Sequence, residues 1–172
     1  MAYWKPLEID GNRFPLDHLE PFSFCLIPKG MSETAVINVR FHDHCFTETF
    51  SQDRHSTPII TSQSSRHEQR AFCPIRYEHS KTLRGLIEAL DGKRITQTRE
   101  ANLVRVESTN GGNYGIFFTL RKDGRMCCSL FVVSAYPFER TEMVVAATGE
   151  MKFNVAVALV LQGKPVRFPN RR

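Results

Sequence analysis

Residues 114–136 read YGIFFTLRKDGRMCCSLFVVSAY, and this stretch decides the fold class. Two apolar runs, residues 114–121 and 127–136, lie on either side of a short Lys-Asp-Gly turn at 122–124. Strand-like segments joined by so short a glycine turn predict an antiparallel hairpin. The second run is apolar at consecutive positions, which indicates burial on both faces, so we expect it to be a central strand.

Further strands are predicted on both sides of this hairpin. Upstream, a strand over residues 101–108 reaches the hairpin through an Asn-Gly-Gly-Asn turn at 110–113. Downstream, Phe, Val, Val, Leu and Leu alternate over residues 152–161, and this alternation predicts a fourth strand. Near the N-terminus, the same period of two predicts strands at residues 22–27 and 35–42.

The clearest helix is predicted to begin at Ser80. Ser80 can cap the N-terminus, and Gly92 follows the last apolar position. Apolar side chains recur at i, i+3, i+4 and i+7, namely Leu83, Leu86, Ile87 and Leu90. A helix with one apolar face needs a sheet to cover it. The sequence therefore predicts an α+β fold, an antiparallel sheet of four C-terminal strands plus the N-terminal strands, with one main helix packed on it.

Length and composition predict one domain over residues 1–172, since 41% hydrophobic and 24% charged residues are typical of a globular chain. Residues 51–71 are polar and non-periodic, which predicts a long exposed loop, and residues 163–172 are predicted to form a basic tail. No apolar run is long enough to span a membrane. Five cysteines without a disulfide-like spacing favour reduced thiols and a cytoplasmic location.

The net charge of +5 is unevenly distributed along the chain. Residues 1–50 carry a net −3, residues 51–100 a net +3 and residues 101–172 a net +5. A basic C-terminal two thirds favours a polyanion partner, RNA or DNA, although positive charge can also serve solubility alone. The arginines that we assign to nucleic-acid binding are Arg40, Arg121, Arg125 and Arg167.

The densest polar cluster begins at His42 and His44. Two histidines at i and i+2 of a strand share one face, so their imidazoles can converge on a metal ion. The chain has no C-x-x-C pair and no H-E-x-x-H motif, which leaves a solvated or hydrogen-bonded histidine pair as the alternative. There is also no P-loop, G-x-G-x-x-G or EF-hand pattern, and no cofactor is predicted.

The same cluster has a second interpretation in acid–base chemistry. Metal-independent cleavage of RNA through its 2′-hydroxyl needs a base, an acid and a cation beside the phosphate. Arg76 precedes the predicted helix and can bind an anion there; the alternative is that Arg76 pairs with a surface carboxylate beside the helix cap. Ser134 and Tyr136 share one face near the end of the central strand. The candidate catalytic residues are His44, Arg76, Tyr77, Ser134 and Tyr136.

Three short motifs carry a resemblance: His44-Cys45-Phe46-Thr47, Arg76-Tyr77-Glu78-His79-Ser80 and Ser134-Ala135-Tyr136. Together they resemble a family of small, uncharacterised bacterial proteins associated with phage and other mobile elements, over roughly residues 5 to 160. Residues 80–161 more weakly resemble barnase, colicin and RelE-type ribonuclease toxins. That second resemblance implies that Ser134 and Tyr136 bind and cleave RNA on the sheet face. His44 and Arg76 lie outside the segment that these toxins use.

Three functions follow as hypotheses. The leading one is an RNA-acting protein of a mobile element, a metal-independent ribonuclease or toxin, with RNA and a cognate inhibitor or host protein as partners. The alternative is a non-catalytic module that binds nucleic acid or protein through its basic surface and exposed aromatic residues such as Phe117 and Phe168. The third is a metal-binding protein that uses His42 and His44.

Overall fold

A computed structural model describes residues 3–61, 63, 68–97, 102–107, 113–138 and 149–168, with backbone alone for residues 97, 102–107 and 138. The elements in chain order are β1 (Leu7–Ile9), β2 (Asn12–Phe14), β3 (Phe22–Leu26), β4 (Ala35–Phe41), β5 (Thr47–Thr49), β6 (Arg70–Phe72), α1 (Pro74–Ser80), α2 (Leu83–Glu88), β7 (Arg94–Gln97), β8 (Asn102–Glu107), β9 (Asn113–Gly124), β10 (Cys127–Phe138), β11 (Glu150–Lys152) and α3 (Phe153–Leu161). Single 3-10 turns span Asp17–Leu19 and Asp43–Cys45.

Seven strands form one sheet in the order β11, β7, β8, β9, β10, β4, β3. The β9–β10 hairpin is antiparallel, and β10 lies between β9 and β4, so the predicted hairpin and its central strand are confirmed. The predicted strand 101–108 is confirmed over β8, whereas residues 110–112 of the turn after it lie outside the described residues. The pairing of β4 with β10 is parallel, an exception within an otherwise antiparallel sheet.

Helices cover one face of the sheet, where alternate residues of β4 and β10 such as Ile37, Val39, Leu130 and Val132 are buried. The Phe153 ring of α3 lies 6.5 Å from the ring of Phe24 on β3 and 5.9 Å from that of Phe118 on β9. The intervening residues point to the opposite face, which we call the open face; its side chains are exposed, as at Arg40 and Arg121, or half-buried, as at Phe131. A bulge after Val132 shifts the register so that Ser134 pairs with Phe117 on this open face.

The predicted fourth strand at residues 152–161 is wrong, because this segment forms the helix α3. Eight of the nine residues of Phe153–Leu161 are apolar, so the same sequence satisfies a period of two and a period of 3.6. The buried positions follow the helical spacing: Phe153, Ala156, Val157, Ala158, Val160 and Leu161. The short strand β11, directly before α3, lies at the edge of the sheet and pairs with β7.

The predicted start of the main helix at Ser80 is also wrong. Ser80 is the last residue of α1, and α2 begins at Leu83. The Ser80 hydroxyl donates to the Tyr77 carbonyl at 2.7 Å instead of capping a following helix. Leu83 and Ile87 are buried as the periodicity requires. Gly92, with a φ of 76°, terminates the turn after α2 as predicted.

Parts of the predicted loop 51–71 and of the predicted tail 163–172 contact the rest of the molecule. Within the predicted loop 51–71, Ile59 forms a bridge with Arg70, and β6 pairs with β5. Phe168 is 7% exposed, so it is not the exposed aromatic residue that we expected in the basic tail. All five cysteines are free thiols. Among the described residues, no helix is both long and apolar enough to cross a membrane.

Candidate functional site

The chain leaves β4 through the 3-10 turn Asp43–Cys45, and this turn holds a buried carboxylate between two histidines. The Asp43 side chain is 1% exposed. Its Oδ2 accepts a hydrogen bond from Thr61 Oγ1 at 2.6 Å, and its backbone N–H donates to Gln63 Oε1 at 3.0 Å. Thr61 therefore fixes the orientation of the carboxylate, and Gln63 fixes the backbone of the turn.

The two imidazoles lie against each other and against the second oxygen of Asp43. The ring centroids of His42 and His44 are 4.2 Å apart. Asp43 Oδ1 lies 2.8 Å from His42 Nδ1 and 3.8 Å from His44 Nε2. The shorter contact has the distance of an ion pair but does not form a hydrogen bond, and the buried Oδ1 has no hydrogen-bonding partner. His42 Nδ1 instead accepts the N–H of His44 at 3.3 Å.

Burial and neighbouring charges set the protonation of this cluster. Burial, followed by the positive charges of Arg70 and His42, lowers the pKa of His44 to about 4. His44 is therefore neutral at pH 7, where it can accept a proton or donate a lone pair but cannot act as an acid. Burial by itself would raise the pKa of Asp43, but contacts with His42 and Thr61 lower it below its usual range, so Asp43 is ionised at pH 7.

A cleft of about 620 Å³ opens beside His42 on the open face of the sheet. Phe131 of β10 lies between Arg40 of β4 and Thr119 of β9, and Ser129 pairs with Arg121. Tyr3 and Gln63 flank these strands. The residues that line this basic cleft are Tyr3, Arg40, His42, Gln63, Thr119, Arg121, Ser129 and Phe131.

Arg40 and Arg121 give the basic cleft its charge. Both side chains are exposed, and neither has a carboxylate partner within the part of the chain that the structure describes. Guanidinium groups without a protein partner are free to bind phosphate or carboxylate in a bidentate manner. The hydroxyls of Ser129 and Thr119 add neutral hydrogen-bonding groups between them. The arrangement can bind an anion together with a planar group over Phe131.

The residues that we predicted to be catalytic are only partly brought together. Arg76 donates to the backbone carbonyls of His44 at 3.1 Å and Thr47 at 2.9 Å, so its guanidinium holds the chain after β4. Its Cζ also lies 4.7 Å from the ring centroid of Tyr136, which in turn stacks on Phe117 at 5.3 Å. Arg76 and Tyr136 therefore contact each other, but both hydrogen bonds of Arg76 go to backbone carbonyls and so stabilise the fold.

Ser134 and Tyr77 complete the predicted set. Ser134 is half-buried and shares the open face with Tyr136, as the alternation predicts. Tyr77 is buried in α1, where its hydroxyl donates to the Pro15 carbonyl at 3.0 Å. Its ring packs against Phe14 and Phe72, away from the basic cleft.

The arginines predicted to bind nucleic acid also divide into two groups. Arg40 and Arg121 line the same cleft. Arg125 lies in the β9–β10 turn, where it pairs with Glu33 at 3.2 Å, and Arg167 is exposed after α3. Neither of these two residues lines the basic cleft.

Sequence reasoning missed Asp43 and Phe131. Asp43 lies between the two histidines in the sequence. Its position directly after a strand with clear apolar–polar alternation could have marked it as a site residue. Phe131 was assigned to a strand buried on both faces, but its place opposite Arg40 puts it on the open face. Alternation with the buried Leu130 and Val132 could have indicated this.

These features define an α+β protein with a histidine–aspartate cluster beside a basic cleft. A family model matches residues 6–161, and the chain belongs to the YjaZ family. This match agrees with the expectation that one family covers most of the chain, while its association with mobile elements stays a prediction. No curated protein and no solved structure matches the chain.

Proposed function

We propose that the protein binds single-stranded RNA in the basic cleft. The observation that carries the proposal is the pair of exposed arginines in one cleft with Phe131: Arg40 directly beside this ring, and Arg121 two residues further along β9, opposite Ser129. Arginine binds phosphates, and aromatic rings stack on unpaired bases, so the two residue types together fit a single strand. A duplex would not present its bases to a half-buried ring.

The charge of the whole chain supports a polyanion over a small carboxylate ligand. The chain carries a net +5, and all of the excess lies after residue 50. An extended strand can bind beyond the two cleft arginines, because the open face continues towards Tyr136 and Phe117. The ring of Tyr136 is already covered by Arg76 and Phe117, so Phe117 is the further aromatic side chain that a base could contact there.

Fluorescence anisotropy with a labelled single-stranded RNA tests the proposal. Replacing both cleft arginines (Arg40→Ala and Arg121→Ala) should weaken binding by at least about tenfold, since each charged hydrogen bond contributes roughly 1.5–3 kcal/mol. The matched control removes two exposed arginines elsewhere (Arg13→Ala and Arg125→Ala), which leaves the net charge of the two variants equal. Equal losses in both variants would overturn the proposal.

A second candidate function, metal-independent cleavage of RNA, is favoured by the contact between Arg76 and Tyr136 next to the His44 backbone. We expect wild-type protein to cleave mixed RNA in EDTA and a Tyr136→Phe variant, which keeps the ring, to lose this activity. A His44→Ala variant tests the predicted base, with His55→Gln as the control. RNA that stays intact in EDTA would contradict cleavage and leave binding as the function.

A further inference from the structure

We propose that His42, Asp43 and His44 form a binding site for a divalent transition-metal ion such as zinc. This proposal is independent of RNA binding, because a metal can be bound with the basic cleft empty. The nitrogen and oxygen donors of the three side chains lie within 4.8 Å of one another. Imidazole and carboxylate are the ligands that zinc takes in proteins alongside thiolate.

The spacing of the donors fits a tetrahedral ion. Bonds of about 2.0–2.1 Å at tetrahedral angles separate neighbouring ligand atoms by roughly 3.3 Å. The two separations from Asp43 Oδ1, 2.8 Å to His42 Nδ1 and 3.8 Å to His44 Nε2, lie on either side of that value. The third separation, between the two imidazole donors, is no more than 4.8 Å, so an ion would draw the rings together. Binding at His42 Nδ1 would also replace the hydrogen bond that this nitrogen accepts from the His44 N–H.

A buried oxygen without a partner is the second, independent observation. Asp43 Oδ1 is inaccessible to solvent and accepts no hydrogen bond. A buried ionised carboxylate oxygen without a hydrogen bond is unfavourable unless a positive charge lies against it. His42, at 2.8 Å, supplies that charge only when it is protonated, whereas a metal ion would supply it with both imidazoles neutral. The other oxygen is already bound by Thr61, so Oδ1 is the atom directed at the two imidazoles.

The hydrogen bonds and charges around the three side chains are compatible with a bound cation. Thr61 and Gln63 hold Asp43 in the way that outer hydrogen bonds orient metal ligands. Arg70 is the nearby positive charge that opposes a cation, but it is bound to Glu68 at 2.6 Å and to the carbonyl of Thr47. Glu68 Oε1, 3.7 Å from His44 Nε2, adds negative charge at the same edge.

Three protein ligands leave a coordination position for water or a bound ligand. His42 also lines the basic cleft, so an ion held at its ring lies at the edge of the surface where Arg40 and Arg121 bind an anion. A metal ion there would interact with a phosphate group, in line with the anion preference of the cleft.

Zinc titration of EDTA-stripped, dialysed protein by isothermal calorimetry tests the proposal, with cobalt absorption reporting tetrahedral coordination. We expect one equivalent of metal per chain. Asp43→Asn and His44→Gln should each weaken binding at least about tenfold, since even outer-sphere changes have effects of this size. The control is His55→Gln, because His55 also contacts a carboxylate, Glu48 at 3.2 Å, but lies outside the cluster.

Two results would overturn the site. One is the absence of binding to folded wild-type protein, with folding checked by circular dichroism. The other is a zinc affinity that is unchanged in His44→Gln. The His44 side chain is 24% exposed, so we expect this variant to fold. It therefore tests the site even if the buried Asp43→Asn change prevents folding. RNA binding that persists in a metal-free protein would leave the proposed function intact and separate the two conclusions.

Discussion

Asp43 illustrates how one buried side chain decides what a site can do. In a continuous strand it would point away from both histidines, and the alternation of residues 35–42 predicts such a strand. The strand instead ends at Phe41, and a 3-10 turn brings Asp43 between the two rings. The hydrogen bonds that hold this turn come from Thr61 and Gln63, from 18 to 20 residues further on, and local pattern cannot predict them.

Arg76 makes a residue-level prediction about stability. Arg76→Ala should lower the free energy of unfolding by about 2 kcal/mol, because the carbonyls of His44 and Thr47 lose their donor. Urea denaturation measures the change. Arg13→Ala is the control: Arg13 is exposed, 4.0 Å from Glu8, and its loss should have an effect of less than about 1 kcal/mol. Equally small effects in both variants would show that Arg76 is not structural.

Among the elements, the β9–β10 hairpin was predicted correctly from the sequence, whereas α3 was predicted to be a strand. The hairpin was predictable because a short glycine turn and apolar strands agree on one structure. In α3 the valines favour a strand by local preference, whereas packing against β9 and β10 favours a helix, and packing prevails. A segment that is apolar at nearly every position does not distinguish the two periods.

The contact of α1 with the Asp17–Leu19 turn makes a prediction about pH. His18 Nε2 lies 2.7 Å from Ser80 Oγ, and burial, followed by the charge of Lys81, lowers the pKa of His18 below 6.5. The unfolded chain therefore binds a proton at His18 more readily than the folded protein does. Stability should fall as the pH decreases from about 6.5 towards the lowered pKa in the folded state.

Denaturation series at several pH values between 7.5 and 5 measure this dependence. His18→Gln removes the titrating group and keeps a hydrogen-bond donor, so the decline in stability towards low pH should be smaller than in the wild type. His79→Gln is the control, because His79 lies in the same helix, stacked on Tyr114. A His18→Gln variant with the full wild-type decline would contradict the assignment.

For the whole molecule, the parallel pairing of β4 with β10 creates the site. It places Arg40 beside Phe131 and brings the turn after β4 to the edge of the open face. Alternation within each strand predicts which residues share a face, but it does not predict which strands are neighbours. The sequence therefore indicated Arg40 and Arg121 as candidates without indicating that they lie in one cleft.

The salt dependence of RNA binding tests the central claim most directly. For a single strand, the logarithm of the binding constant falls against the logarithm of salt concentration with a slope of about 0.7 per neutralised phosphate. Loss of Arg40 and Arg121 together should therefore reduce the magnitude of the slope by about 1.4, whereas loss of Arg13 and Arg125 should leave it unchanged. Equal slopes for the wild type and the cleft variant would contradict the account.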